Sequence, residues 1–353
     1  MVEERKTWQG VISLIAVLAL SLDISFSSWW TTLSIGVSQW TLCNIVSGLT
    51  QWAFPSVVTV FGSIFLSPAR HIKMKVLWQR FIPAALFSCA VWWLSTSVVT
   101  MHNNHPQDLD FLTFRECMVE SLEAPAFIGF CHMLVSFFIL YPLLYRIVSD
   151  EKLLVYAIIL FFVMGLLEAS FNFIPYLSIV SMFTDQLNWG FFRAWTFYLL
   201  FGAWITNHDL SWKSALLVYV LGILATAGII ALTSITTNFS PGYANEYIGY
   251  TSPLTGIQTV ALTVFIRRLF ARKHSPKFIA ITRNTWHCVP AVFVVSIFTD
   301  RMIGIITDSS LISIVLSGFC NFIIAIGIVL LLGFLPGFKF LVGNYRYMGG
   351  LDR

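Results

Sequence analysis

Charge is what this sequence has least of. Asp, Glu, Lys and Arg together make up 11% of its 353 residues, against 57% hydrophobic ones. That ratio leaves far more apolar surface than a soluble domain can bury, which excludes the soluble globular classes. Long polar stretches are missing as well, so no sizeable domain outside a membrane is left over. The cysteines, Cys43, Cys89, Cys117, Cys131, Cys288 and Cys320, are scattered. They show neither the spacing of a metal site nor a paired framework, and no metal is expected. His102 and His105, in "MHNNHPQ", have no further His or Cys at ligand spacing. No small-residue cleavage site follows the first apolar run, which reads as a retained helix. No internal repeat is visible, which counts against the inverted-repeat transporter folds. The net charge of +4 does not mark a nucleic-acid partner, because the basic residues sit in short loops between apolar runs.

What is present is a succession of apolar runs, and about 20 such residues carry a helix across the hydrocarbon. The runs and their breaks predict about ten transmembrane helices, over 10–30, 45–66, 80–99, 125–146, 153–171, 190–206, 212–233, 249–267, 278–299 and 310–335. The expected fold is an all-α polytopic bundle forming one integral-membrane domain over 1–353. Placing the N-terminus in the cytoplasm puts every lysine and arginine except Arg115, Arg193, Arg283 and Arg301 in a cytoplasmic loop or tail. The positive-inside rule therefore predicts both termini inside. The longest loop, "MHNNHPQDLDFLTFRECMVESLEAP", falls on the other side. Trp29 with Trp30, and Trp92 with Trp93, fall near the outer ends of their spans, where indoles favour the interface.

Ionisable residues inside such spans are costly, about 2.5 to 3.5 kcal/mol at the centre, so they face the bundle interior and pair. Three stand out: Asp23 in "LIAVLALSLDISFSSWW", Glu168 in "MGLLEASFNF" and Arg193 in "GFFRAWTFYLLFGAW". On the expected topology all three lie in the outer halves of their spans, where they can cluster, either as a structural pair with one acid left to interfacial water or as parts of a site. His132 and His287 also fall inside apolar spans, each as a packing residue or a general base. The basic loops "SPARHIKMKVLWQR" and "RRLFARKHSPK" suit the phosphates of a nucleotide-like donor such as a coenzyme A thioester, although topology alone demands positive charge there.

Several segments in order resemble the acyltransferase 3 family, bacterial membrane proteins of about ten helices that transfer acyl groups, commonly acetyl, onto glycans outside the cytoplasm. "FPSVVTVFGSIFLS" resembles the second family helix through Pro55 and Gly62, with Phe61 where the family has Ser. "KVLWQRFIPAALFSCAVWW" resembles the start of the third, with Lys75, Arg80 and Pro83 in place. "FIGFCHMLVSFFILYPLLYRI" resembles the fourth, counted from Pro142, with Phe127 and Gly129 at the family's His and Trp. "FRAWTFYLLFGAWI", ending its signature at Gly202, resembles the sixth, and "YTSPLTGIQTVALTVFIRRLF" the eighth. The family's first-helix catalytic His has no counterpart. Asp23 lies close to its place, and Ile12 stands eleven positions earlier, where the family has Arg. Val289 and Val292 occupy the Tyr and His positions of the ninth helix.

The resemblance implies a membrane O-acyltransferase of the bacterial inner membrane, acting on a glycan or lipid-linked saccharide within or beside a polysaccharide-synthesis complex. Asp23, with His132, would activate the acceptor hydroxyl, and Glu168 and Arg193 would complete the site. Acyl-CoA, commonly acetyl-CoA, would be the donor, bound by Lys75, Arg80, Arg267, Arg268 and Arg283. The missing histidines leave open a non-catalytic relative that serves glycan translocation or a synthase complex.

Overall fold

A computed structural model describes residues 7–30, 33–67, 71–104, 110–123, 125–167, 195–239, 247–270, 285, 288–306 and 311–334. All regular structure among them is helical. In chain order the helices are α1 Thr7–Trp30, α2 Ser38–Thr50, α3 Ala53–Phe65, α4 Met74–Val76, α5 Ile82–Asn104, α6 Phe111–Glu123 and α7 Pro125–Val148. They continue as α8 Glu151–Phe162, α9 Trp195–Asn207, α10 Trp212–Phe239, α11 Pro253–Phe270, α12 Cys288–Ile306 and α13 Leu311–Phe334. π-Helical turns at Leu77–Phe81 and Val163–Leu167 join α4 to α5 and extend α8.

Five stretches among the described residues are long and apolar enough to cross a membrane: Thr7–Ser27, Ser38–Phe65, Met74–His102, Trp212–Asn238 and Ile312–Leu332. The shortest has 21 residues, roughly 30 Å at 1.5 Å per residue, which matches the hydrocarbon thickness. Their outward faces are apolar: Ile223 is 71% exposed and Leu331 68%. Water would penalise such surface and lipid accepts it, which fits an integral membrane protein.

The chain divides into two compact units. One comprises Met1–Glu3, Ile72–Pro142 and Asn284–Arg353; the other comprises Glu4–His71 and Leu143–Arg283. In the first unit Phe81, Phe137 and Phe138 form a buried aromatic core, with Phe81 and Phe138 5.3 Å apart between ring centroids. Tyr141 Oη accepts the Ile72 amide at 3.1 Å, tying the approach of α4 to α7. The segment expected as a loop after α5 contains α6. It buries Cys117 and Ser121, and Phe114 and Met118 partly, a helical i, i+3, i+4, i+7 face. Asp110 starts it by accepting the Thr113 amide at 2.7 Å, and Trp93 Nε1 donates to Met118 O at 3.0 Å. Trp92, midway along α5, is buried.

In the second unit α2 and α3 form one span with a break at Gln51–Trp52. Pro55 explains it, since it has no amide to donate to the Gln51 carbonyl one turn back. Beyond the break α3 packs against α9 at very close range. A Cβ on Gly62 would overlap the Leu199 carbonyl, and one on Gly202 the Thr59 carbonyl. Each glycine thus admits the other helix's backbone, which no larger side chain permits. Trp8, Ile12, Val60, Phe201 and Ile205 close a dry core beneath this crossing. Trp30 is buried and stacks on Trp40, with centroids 6.1 Å apart.

Candidate functional site

Asp23 lies on α1 seven residues before its last residue, roughly 10 Å along the axis from that end. It is half-buried and faces α2. There the polar residues Asn44, Ser47 and Gln51 recur at i, i+3 and i+7, one helical stripe, with Thr50 beside them. Thr50 Oγ1 donates to Asp23 Oδ1 at 2.8 Å, Ser47 Oγ at 3.1 Å and Gln51 Nε2 at 3.3 Å. Gln51 Nε2 also reaches Ser47 Oγ at 2.9 Å, forming a short relay from amide to hydroxyl to carboxylate. Thr50 has the Val46 and Ser47 carbonyls as other acceptors, at 2.9 and 3.1 Å. Its one proton favours the carboxylate, because hydrogen bonds to a charged acceptor are the stronger. All three donors converge on Oδ1. None of them addresses Oδ2, which meets no donor among the described residues and is open there to accept a proton.

The stripe continues away from Asp23. Asn44 Nδ2 donates to Ile230 O at 3.0 Å, and Gln258 Nε2 donates to Gly48 O and Thr226 Oγ1, both at 2.9 Å. The other amide oxygens, Asn44 Oδ1 and Gln258 Oε1, are buried and meet no donor among the described residues. One turn past Gln51, Phe54 packs edge-on to Trp195 at 4.9 Å, and Trp195 stacks on Tyr250 at 4.1 Å. Tyr198 Oη holds this aromatic group to its loop by donating to Tyr250 O at 2.8 Å. A carboxylate, two hydroxyls and an amide therefore stand in one inward-facing group, one helical turn from an aromatic cluster.

Of the residues expected to form a catalytic group, Asp23 is the one whose surroundings are defined. His132 belongs to α7, and its side chain lies outside the described residues, as do Glu168, Arg193 and His287. The partners of Asp23 were not singled out from sequence. The available signal was the polar spacing of Asn44, Ser47 and Gln51 inside an otherwise apolar span, a pattern that an inward-facing helix stripe explains.

The expected donor-binding cations separate into two kinds. Lys75 and Arg80 are exposed, in α4 and the π-helical turn after it. Arg267 and Arg268 are engaged at the α9–α10 corner. Arg267 donates to the His208 carbonyl and, at 2.6 Å, to Asp209 Oδ1. Arg268 donates to Leu210 O at 3.2 Å and lies over the Trp212 ring at 5.1 Å. Arg283 lies outside the described residues. Ile12, Val289 and Val292, expected where the acyltransferase 3 family carries polar side chains, are each fully buried. No protein-family model, curated protein or solved structure matches the chain.

Proposed function

We propose that this chain is a membrane-embedded O-acyltransferase of the acyltransferase 3 type. In this reading about ten helices hold both termini in the cytoplasm of a bacterial inner membrane, and the enzyme moves an acyl group from a CoA thioester to an extracytoplasmic glycan. The observation that carries the reading is the carboxylate of Asp23, turned into the bundle, with three donors on one oxygen and none of those donors on the other. Held that way, Oδ2 takes the proton of an acceptor hydroxyl, whose oxygen attacks the thioester carbonyl carbon. The new C–O ester bond forms, the C–S bond breaks, and the departing CoA sulfur receives the proton from Asp23. Ser47, Thr50 and Gln51 keep the carboxylate oriented through the cycle. Of the cations expected at the donor's phosphates, Arg267 is already bound to Asp209 and the His208 carbonyl of its own unit.

A second reading is a non-catalytic member of a glycan translocation or synthase complex. The packing of α1 favours it: Ile12, Ala16 and Val17 are each 0% exposed between Asp23 and the Thr7 end, so that face of the helix lines no passage. The acyl content of the surface polysaccharide distinguishes the two. In a deletion strain the acyl increment should disappear from the polymer's mass spectrum, return with the wild-type gene and fail to return with Asp23→Asn at equal membrane level. Full restoration by Asp23→Asn removes Asp23 as the base. Loss of the polymer itself, with acylation of the remainder unchanged, selects the second reading.

A further inference from the structure

The second unit carries an apolar groove that the proposed reaction does not use. Its volume is about 330 Å³. Phe197 and Phe201 of α9 form its floor, Val155 and Ile159 of α8 one wall, and Val218 and Leu221 of α10 the other. The floor is buried while the wall tops are open, with Ile159 59% and Leu221 43% exposed. It runs roughly 10 Å along α9, from Phe197 to Trp204, at 1.5 Å per residue. An apolar trough in a membrane-crossing unit suits a hydrocarbon chain.

The end of the groove near Trp204 is charged, and its charges are not balanced. Asp150 accepts the amides of Lys152 and Leu153 as the cap of α8. Glu151 Oε1 lies 3.0 Å from His208 Nε2, and His208 stacks on Trp204, a groove residue, at 5.1 Å. Asp209 is taken by Arg267. Every acid at this rim is therefore engaged. Lys152 and Lys213 meet no carboxylate among the described residues, and Arg268 Nη1 is buried there without a partner. Lys152 stands on the same stripe of α8 as Val155 and Ile159, at i, i+3 and i+7, so it caps the wall of the groove.

We infer that this groove retains one anionic glycerophospholipid, its acyl chain lying between α8 and α10 on Phe197 and Phe201 and its phosphate held at Lys152. The long stem of lysine packs along the apolar wall while its ammonium reaches the headgroup plane. Charge chooses among the lipids, because the rim carries four cations, Lys152, Lys213, Arg267 and Arg268, against three acids, Asp150, Glu151 and Asp209. Hydrophobic fit supplies the residence.

Native mass spectrometry of the detergent-purified full chain, titrated with dioleoyl phosphatidylglycerol and dioleoyl phosphatidylcholine, tests this. The wild type should keep one phosphatidylglycerol with a preference of about fivefold over phosphatidylcholine, the ratio expected from one lysine at a lipid surface. Lys152→Gln should bring the two lipids to equal retention. Ile159→Trp, which fills the groove from an exposed position, should remove the retained lipid of either kind while the melting temperature holds. Equal retention of both lipids by the wild type overturns the inference, as does a preference that survives Lys152→Gln. Should Ile159→Trp fail to fold, Leu221→Phe from the opposite wall serves, and undiminished retention there also overturns it.

Discussion

Two helix contacts of the second unit meet the same demand in opposite ways. Where α3 crosses α9, Gly62 and Gly202 bring backbone against backbone. Where α1 meets α2, the helices are joined by side-chain hydrogen bonds onto Asp23. Between helices in lipid there is little hydrophobic drive, so close packing and interhelical hydrogen bonds must supply the association. The glycine contact uses only the first and has no freedom to adjust, because carbonyl oxygens cannot move without the helix. The polar contact uses the second and tolerates any side chain that still accepts a hydrogen bond at Oδ1. A rigid joint and a chemically adaptable one thus sit in the same unit, and only the adaptable one presents a group that can do chemistry.

The sharpest way to break this comparison is at the glycines. Gly202→Ala places a Cβ on the Thr59 carbonyl, and the loss should be about 3 kcal/mol, the upper part of the range for overpacked cores. Chemical denaturation in detergent measures it; a change below about 1 kcal/mol would show that α3 and α9 part easily. At the polar contact, Asp23→Ala should cost about 1 to 2 kcal/mol, the scale of interhelical hydrogen bonds in membranes. Asp23→Asn keeps the acceptor and should leave stability within about 0.5 kcal/mol of wild type, the smaller size of a retained neutral bond. If Asn proves as damaging as the glycine substitution, the carboxylate is a structural keystone and the distinction between the contacts fails.

Smaller effects come from polar contacts at the rims. Arg267→Gln removes the bonds to Asp209 and the His208 carbonyl and should lower the denaturation midpoint by about 1 kcal/mol of stability. Glu151→Gln, in an exposed pair with His208, should stay below about 0.5 kcal/mol. The smallest effect is in the first unit. The Thr113 amide bonded to Asp110 holds that carboxyl below its ordinary value of 3.8. A carboxyl whose folded value is depressed steadies the start of α6 fully above its ordinary value, and the contribution fades as the pH falls below it. Hydrogen exchange at the Thr113 amide should therefore quicken in acid below about pH 4 and become insensitive to pH there in Asp110→Asn, apart from the intrinsic exchange trend.

Much of the helical layout was legible because the bilayer imposes it. A run such as Trp212–Asn238 has no alternative to a helix once it lies in hydrocarbon, since every backbone group must be satisfied within the segment. The break at Gln51 was legible in principle from Pro55. Helix α6 was not expected, because its 13 residues are too short and too charged to read as a span, and its buried face shows only against α5. The burial of Trp30 and Trp92 was not legible either, because it depends on the neighbouring helices. Trp30 ends α1 while Trp92 lies midway along α5, and both are buried, with the Trp40 ring of the next helix stacked on Trp30.

The candidate site divides along the same line. That Asp23 must look away from lipid follows from its charge, whatever the fold. Which groups receive it does not, since Ser47, Thr50 and Gln51 lie 24 to 28 residues along the chain and reach it only through the crossing of α1 and α2.

By itself, then, the sequence determined that this protein is helical and lives in a membrane, because the length and apolarity of a segment decide its solvent without reference to any other segment. It also determined that one carboxylate of the first helix seeks polar company. The tertiary structure alone decided that the company is two hydroxyls and an amide on one oxygen, that two glycines lock α3 to α9, and that a groove with an unspent lysine opens between α8 and α10. These depend on which faces of separate helices meet. That is settled by side-chain shape and hydrogen-bond geometry across the contact, which no single stretch of chain contains.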